Sequence, residues 1–214
     1  MYDTLKDFVT SEGITLVAVS KTKPNSAIQA LYTKGQRIFG ENRVQELSKK
    51  YEELPKDIEW HMIGQLQKNK VKYIAPFVSM IHSCDSLGLA QIINKQAIRS
   101  DRTINILLQI KIALEETKSG WSYDTLLKEI PELLSLTNIN ICGVMGMGTF
   151  TSDKEITIQE FSKMKTYFDD LKSAAFKNAP AFKEISMGMS GDYKLAVESG
   201  STMVRIGSLL FGQR

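Results

Sequence analysis

A change of hydrophobic period recurs eight times along this chain, and it constrains the fold more than any other feature. Each time, a short run rich in Val and Ile gives way to a longer stretch with helical spacing. The runs fall at residues 14–20, 37–40, 60–64, 79–83, 104–110, 139–146, 184–189 and 202–207. The first is apolar almost throughout, as in a parallel strand buried on both faces. Helical spacing follows at Ile28 and Leu31, at Val44, Leu47 and Tyr51, and at Val71 and Ile74. It recurs at Leu87, Ala90 and Ile93, at Leu126, Leu127 and Ile130, and at Phe161, Met164, Phe168 and Leu171. A short helix over 194–198 precedes the last run. Pro24 suits a helix start and Gly35 a stop.

Strands alternating with helices at roughly 27 residues per unit mean an α/β chain with parallel strands. Eight units favour a closed (β/α)8 barrel over an open doubly wound sheet. No composition shift or flexible linker interrupts the series, so a single domain over residues 1–214 is expected. The 27 basic and 24 acidic residues leave a net charge of +3, too little for a dedicated nucleic-acid binder. The run Lys68-Asn69-Lys70-Val71-Lys72-Tyr73 reads as a solvated helix face. Two cysteines, Cys84 and Cys142, cannot build a disulfide scaffold or a zinc site and read as buried thiols of a reducing compartment. Two histidines are few for a metalloenzyme. The N-terminus has no signal-like apolar run, and no segment approaches the ~20 apolar residues of a membrane span. A cytoplasmic protein is expected.

In such a barrel the site lies at the C-terminal ends of the strands. The period of two puts Val17, Val19 and Lys21 on one face, so Lys21 points up the barrel axis if the valines fill it. A lysine rising from an apolar floor is expected to be poorly solvated and to have a lowered pKa, which favours attack on a carbonyl. Lys23, beside Pro24, is expected to reach solvent. On the last strand Met203 and Arg205 share the inward face. A buried arginine cannot lose its charge and needs either a carboxylate or a ligand. Gly207-Ser208 after the eighth run and 187–192 after the seventh sit where this fold usually cradles a phosphate. Together these elements suggest a phosphorylated carbonyl compound, handled by a sugar-phosphate aldolase or by a pyridoxal 5′-phosphate (PLP) protein.

The residues also resemble a known family. Leu16-Val17-Ala18-Val19-Ser20-Lys21-Thr22-Lys23-Pro24, Phe39-Gly40-Glu41-Asn42-Arg43-Val44-Gln45-Glu46 and Trp60-His61-Met62-Ile63-Gly64-Gln65-Leu66-Gln67 are similar to segments of the pyridoxal phosphate homeostasis proteins. So are Lys118-Ser119-Gly120, Met187-Gly188-Met189-Ser190-Gly191-Asp192 and Gly200-Ser201-Thr202-Met203-Val204-Arg205-Ile206-Gly207. In one respect the chain departs from that family: only about a dozen residues precede the first run, where the family usually has a longer helix.

The resemblance implies a TIM barrel of fold-type III, like the N-terminal domain of alanine racemase. It implies PLP held as a Schiff base on Lys21, with Arg205 facing the pyridine nitrogen. Ser190, Gly207 and Ser208 would hold the phosphate, and Asn42 would lie near the ring. His82 and Asp85 could border the mouth, but they read first as solvated loop residues. A cation beside the ring nitrogen disfavours its protonation and so weakens the ring as an electron sink. Racemisation needs an acid/base on each face of the substrate, which racemases complete with a tyrosine from a second domain. Only seven residues follow Gly207, and no tyrosine is an obvious substitute. The expectation is a monomer that stores and delivers PLP in vitamin B6 homeostasis and amino-acid metabolism, with PLP-dependent apoenzymes as candidate partners. A racemase-like enzyme is the alternative, and a cofactor-free aldolase and nucleic-acid binding rank below it.

Overall fold

A computed structural model describes residues 2–113 and 119–212. Eight strands, each hydrogen-bonded to the next in sequence, close into a parallel barrel in the order expected. They are β1 (Thr15–Val19), β2 (Ile38–Glu41), β3 (Glu59–Met62), β4 (Met80–Cys84), β5 (Ile104–Gln109), β6 (Ile139–Met145), β7 (Glu184–Ser186) and β8 (Met203–Ile206). Closure is made by β1 against β8, with Val17 beside Arg205 and Ala18 beside Ile206.

The helices α1 (Tyr2–Ser11), α2 (Asn25–Thr33), α3 (Val44–Glu53), α4 (Val71–Ile74), α5 (Leu87–Arg99), α6 (Tyr123–Leu134), α7 (Lys154–Ser173), α8 (Tyr193–Glu198) and α9 (Ser208–Phe211) surround it. Two differ from expectation. The basic helix after β3 is a single 3-10 turn, Lys68–Lys70, followed by one α-turn. Ahead of β1, the ten residues Tyr2–Ser11 form α1, which the spacing of Tyr2, Leu5 and Val9 encodes; all three are buried. Phe8 meets Tyr193 edge to face at 5.7 Å and so ties α1 to α8.

Strand alternation sorts the apolar residues into two cores. Leu16, Ala18, Phe39, Val204 and Ile206 face outward and pack under the helices. Val17, Met80, Leu107, Cys142, Met145 and Met203 fill the barrel itself, with Ile38 and Ile63 against them. Gly40 faces inward too, since a Cβ there would stand 2.9 Å from Val17 and 3.1 Å from Ile63. The longest helix, α7, starts where the Asp153 carboxylate accepts the Glu155 and Ile156 N–H groups, and it buries Phe161, Met164, Phe168 and Leu171 as its spacing requires. Both cysteines are buried free thiols. Among the described residues no helix is long and apolar enough to cross a membrane, and no cluster of His, Cys, Asp or Glu could hold a metal.

One bulge resets the pattern. The β5–β6 register shifts between Ile106 and Leu107, and Gly143 takes φ +150° there. Ile141 faces the helices and Cys142 the interior, yet after the bulge Val144 faces outward and Met145 inward. A Cβ on Gly143 would lie 1.9 Å from the Glu184 carbonyl oxygen of β7. Gly143→Ala should therefore cost about 3 kcal/mol or more, read as a lowered urea midpoint.

Candidate functional site

β1 ends in a tight turn. The Lys23 N–H returns to the Ser20 carbonyl at 3.0 Å, and Thr22 sits at φ +64°. Lys21, carried on this turn, is half-buried at the barrel rim. Among the described residues its amine makes no hydrogen bond or ion pair. Lys23 does not project into solvent as expected. Its Nζ donates to the carbonyls of Phe211 at 3.0 Å and Gly212 at 3.2 Å, binding the turn to the end of α9.

Arg205 faces inward, as the alternation of β8 requires, and is 5% exposed. Its acceptors are neither of the two expected kinds. Nη1 donates to the Ser186 carbonyl at 2.8 Å and to Ser186 Oγ at 2.6 Å, and Nη2 donates to the Gly146 carbonyl at 3.0 Å. No described carboxylate pairs with it. Burial pulls the guanidinium down to about 10, opposed by the charge of Asp192.

Beneath the rim a polar chain leads away from Arg205. His82 lies fully buried on β4, not in a solvated loop as the sequence suggested. Its Nδ1 is 3.0 Å from Ser186 Oγ, and its Nε2 is 2.9 Å from Nδ1 of the buried His61 on β3. The protons can be assigned because Arg205 only donates and, among the described residues, His82 Nδ1 is the one acceptor within reach of the Ser186 hydroxyl hydrogen. Ser186 Oγ accepts from Arg205 and gives its own hydrogen to His82 Nδ1. His82 then carries its proton on Nε2 and donates to His61 Nδ1, which leaves the His61 proton on Nε2. Burial pushes His61 down to about 3. Burial also holds His82 well below 6.5, helped by the proximity of His61 and Arg205.

The loops after β7 and β8 meet at the mouth. The Gly207 N–H donates to Ser190 Oγ at 3.3 Å. A Cβ on Gly207 would lie 3.3 Å from the Val19 carbonyl, so this loop packs on the strand that leads to Lys21. Leu210 and Phe211 N–H close onto the Gly207 carbonyl, while the N–H groups of Ser190, Gly191, Ser208 and Leu209 make no backbone hydrogen bond. Gly188 takes φ +91°, and a Cβ there would strike Ala196 at 2.5 Å. Ser190 and Gly207 are half-buried and Ser208 is exposed. Asn42 follows β2, half-buried, its backbone so close to Gly64 that a Cβ there would come within 2.4 Å of the Asn42 carbonyl. Asp85, after β4, is half-buried. Lys118 lies outside the described residues, whereas the neighbouring Ser119 carbonyl accepts from Gln109 Nε2 at 2.8 Å.

The structure thus brings Lys21, Arg205, Ser190, Gly207 and Ser208 to the β1, β7 and β8 ends, with Asn42 on the adjoining β2 end. Sequence reasoning missed Ser186, His61 and the Gly146 carbonyl. The available signal was a polar residue inside an apolar run on an inward position, as in Trp60-His61-Met62 and Ile81-His82-Ser83.

Two measurements test the polar chain. Nitrogen-15 NMR should find both histidines as Nε2–H tautomers, with neither ring titrating between pH 8 and about 5. An unfolded chain binds protons on these rings below about pH 6.5 and the folded barrel does not, so stability is lost as the pH falls through that value. For His61 the loss is about 1.4 kcal/mol per pH unit, continuing to about pH 3. Urea unfolding should show a drop of about 2 kcal/mol or more between pH 7 and pH 5, and equal stabilities would contradict the assignment.

Comparison with known proteins agrees with this geometry. The family described as "Alanine racemase, N-terminal domain" matches residues 2–214. The pyridoxal phosphate homeostasis protein of Aquifex aeolicus is 40% identical over 200 residues, covering 93% of this chain and 86% of the relative. That of Synechocystis is 39% identical over 206 residues, 94% of this chain and 92% of the relative. PipY of Synechococcus elongatus, solved with PLP bound, superposes with a TM-score of 0.84 at 37% identity, covering 94% of this chain and 93% of PipY. An alanine racemase of Clostridium difficile shares the fold at a TM-score of 0.77 and 18% identity, this chain covering 56% of it. The chain belongs to the alanine racemase N-terminal domain family, within the branch of the pyridoxal phosphate homeostasis proteins.

Proposed function

We propose that this chain binds PLP covalently through Lys21 and holds the cofactor for vitamin B6 homeostasis, more as a reservoir than as a catalyst. One observation carries the reading: a half-buried lysine after β1, unengaged among the described residues, stands at the same barrel mouth as a buried Arg205 on β8 that pairs with no described carboxylate. The naming of its relatives and the PLP-bound PipY support it. The donor set fits such a ligand. A primary amine suits an aldehyde, a guanidinium suits a ring acceptor, and the open N–H groups of Ser190, Gly191, Ser208 and Leu209 suit a phosphate. The close fit of Gly207 on Val19 keeps that cup next to the lysine strand.

When bound, PLP supplies an aldehyde that condenses with amines and a conjugated ring that withdraws electrons. In this reading Lys21 anchors the aldehyde carbon. Ser190, Gly207 and Ser208 hold the phosphate, and Asn42 flanks the ring. Arg205 donates toward the ring nitrogen and, as a cation, keeps a proton off it. That restrains carbanion chemistry. The chain's two histidines support the same restraint: both are buried, neutral and bonded to each other, and so are withdrawn from acid–base work at the mouth. The reading extends to a cytoplasmic monomer that hands PLP to apoenzymes.

Borohydride reduction of the PLP-loaded protein should fix one cofactor on the peptide containing Lys21, with Lys21 itself as the labelled residue by fragmentation. Lys21→Ala should abolish the label and leave the circular dichroism spectrum unchanged. Labelling elsewhere would defeat the assignment. Exchange of amino-acid α-hydrogens in deuterium oxide should be slow, and rapid exchange with one amino acid would favour the racemase-like alternative.

A further inference from the structure

Behind the Lys21 turn, outside the barrel wall, lies a buried ionic cluster. Lys50 on α3 and Glu41 at the end of β2 have side chains 6% and 0% exposed. The three ammonium hydrogens of Lys50 have three acceptors: the Ser20 carbonyl at 2.8 Å, Glu41 Oε1 at 2.8 Å and Glu46 Oε1 at 2.7 Å. The acidic partners also hold the turn. Ser20 Oγ donates to Glu41 Oε1 at 2.6 Å, and the Thr22 N–H donates to Glu46 Oε1 at 2.6 Å. Residues on both sides of Lys21 are therefore fixed by the same cluster, at the Ser20 hydroxyl, the Ser20 carbonyl and the Thr22 amide.

Thr22, whose N–H the cluster holds, has an unusual backbone conformation. A β-branched residue at φ +64° is an outlier that glycine would occupy freely. Such a conformation persists only where the surroundings over-determine it, and it recurs at ligand clamps. Burying an ion pair is an inefficient way to gain stability compared with apolar packing. It does fix geometry, since each charge must keep its partners.

We propose that Lys50, with Glu46, is a positioning residue for Lys21: the pair holds Thr22 in its left-handed conformation and so aims the Lys21 amine into the barrel mouth. This rests on the reading of Lys21 as the PLP anchor. It predicts that the strain at Thr22, not the charge of Lys50, is what must be managed.

The test follows the rate at which PLP becomes borohydride-trappable on Lys21, by mass spectrometry, with thermal melting as the fold control. The unaltered protein must trap on Lys21 first; if it does not, the PLP reading itself fails and the variants are not needed to show it. Lys50→Met should fold and trap on the order of tenfold more slowly or worse, as expected for a misaimed reacting group. Adding Thr22→Gly to Lys50→Met should restore most of the rate, because glycine adopts the turn without the clamp. A merely structural lysine would not be rescued in this way. Trapping at the unaltered rate in Lys50→Met, or a slow rate that Thr22→Gly does not restore, overturns the proposal. Should Lys50→Met fail to fold, Glu46→Ala cuts the Thr22 grip and leaves the Lys50–Glu41 pair in place. The same slowing and the same rescue are then required, and their absence overturns the proposal.

Discussion

The interior of this barrel is organised by one charge that cannot be shed. Arg205 sits buried with no described carboxylate paired to it, and its partners are two backbone carbonyls and one hydroxyl. Those contacts join β8 to β7 and to the end of β6. They also orient Ser186, and through Ser186 they set the tautomers of two imidazoles on β4 and β3. With the guanidinium donating and His82 Nδ1 the one described acceptor for the Ser186 hydroxyl, each later link runs in one direction. Five of the eight strands thus share one polar arrangement.

The two sides of the mouth are built on different principles. The β8 side holds the Arg205 guanidinium on neutral acceptors and leaves backbone N–H groups open to an anion, with the Asp192 charge close enough to act on Arg205. The β1 side relies on a compact ionic cluster kept behind the wall, where it controls the backbone and leaves the Lys21 amine unengaged. Separating the groups that position from the groups that react keeps the reactive amine free of competing partners.

How far the site could be read in advance depended on where each partner lies. β1 and β8 carry no bulge, so strict alternation placed Val17, Met203 and Arg205 correctly. The closed strand order followed from eight changes of period. His82 was misread because its partners, Ser186 and His61, stand 104 and 21 residues away and only closure brings them together. Nothing in the helical spacing of α3 marks Lys50, because its partner Ser20 is 30 residues earlier. β4 and β6 each carry a register shift, which breaks the parity on which such a reading depends. The acceptors of Arg205 were illegible for a simpler reason: two are backbone carbonyls, and the sequence gives no sign of where those will point.

The fate of Lys23 has a consequence for chemical selectivity. Two primary amines stand two residues apart at the rim of one barrel, and an aldehyde arriving from solvent meets both. Lys23 donates to the carbonyls of Phe211 and Gly212, so it would have to give up both bonds to react, whereas Lys21 gives up none. The choice between neighbouring nucleophiles is thereby made by the final turn of α9, which acts as a protecting group built from main-chain oxygens.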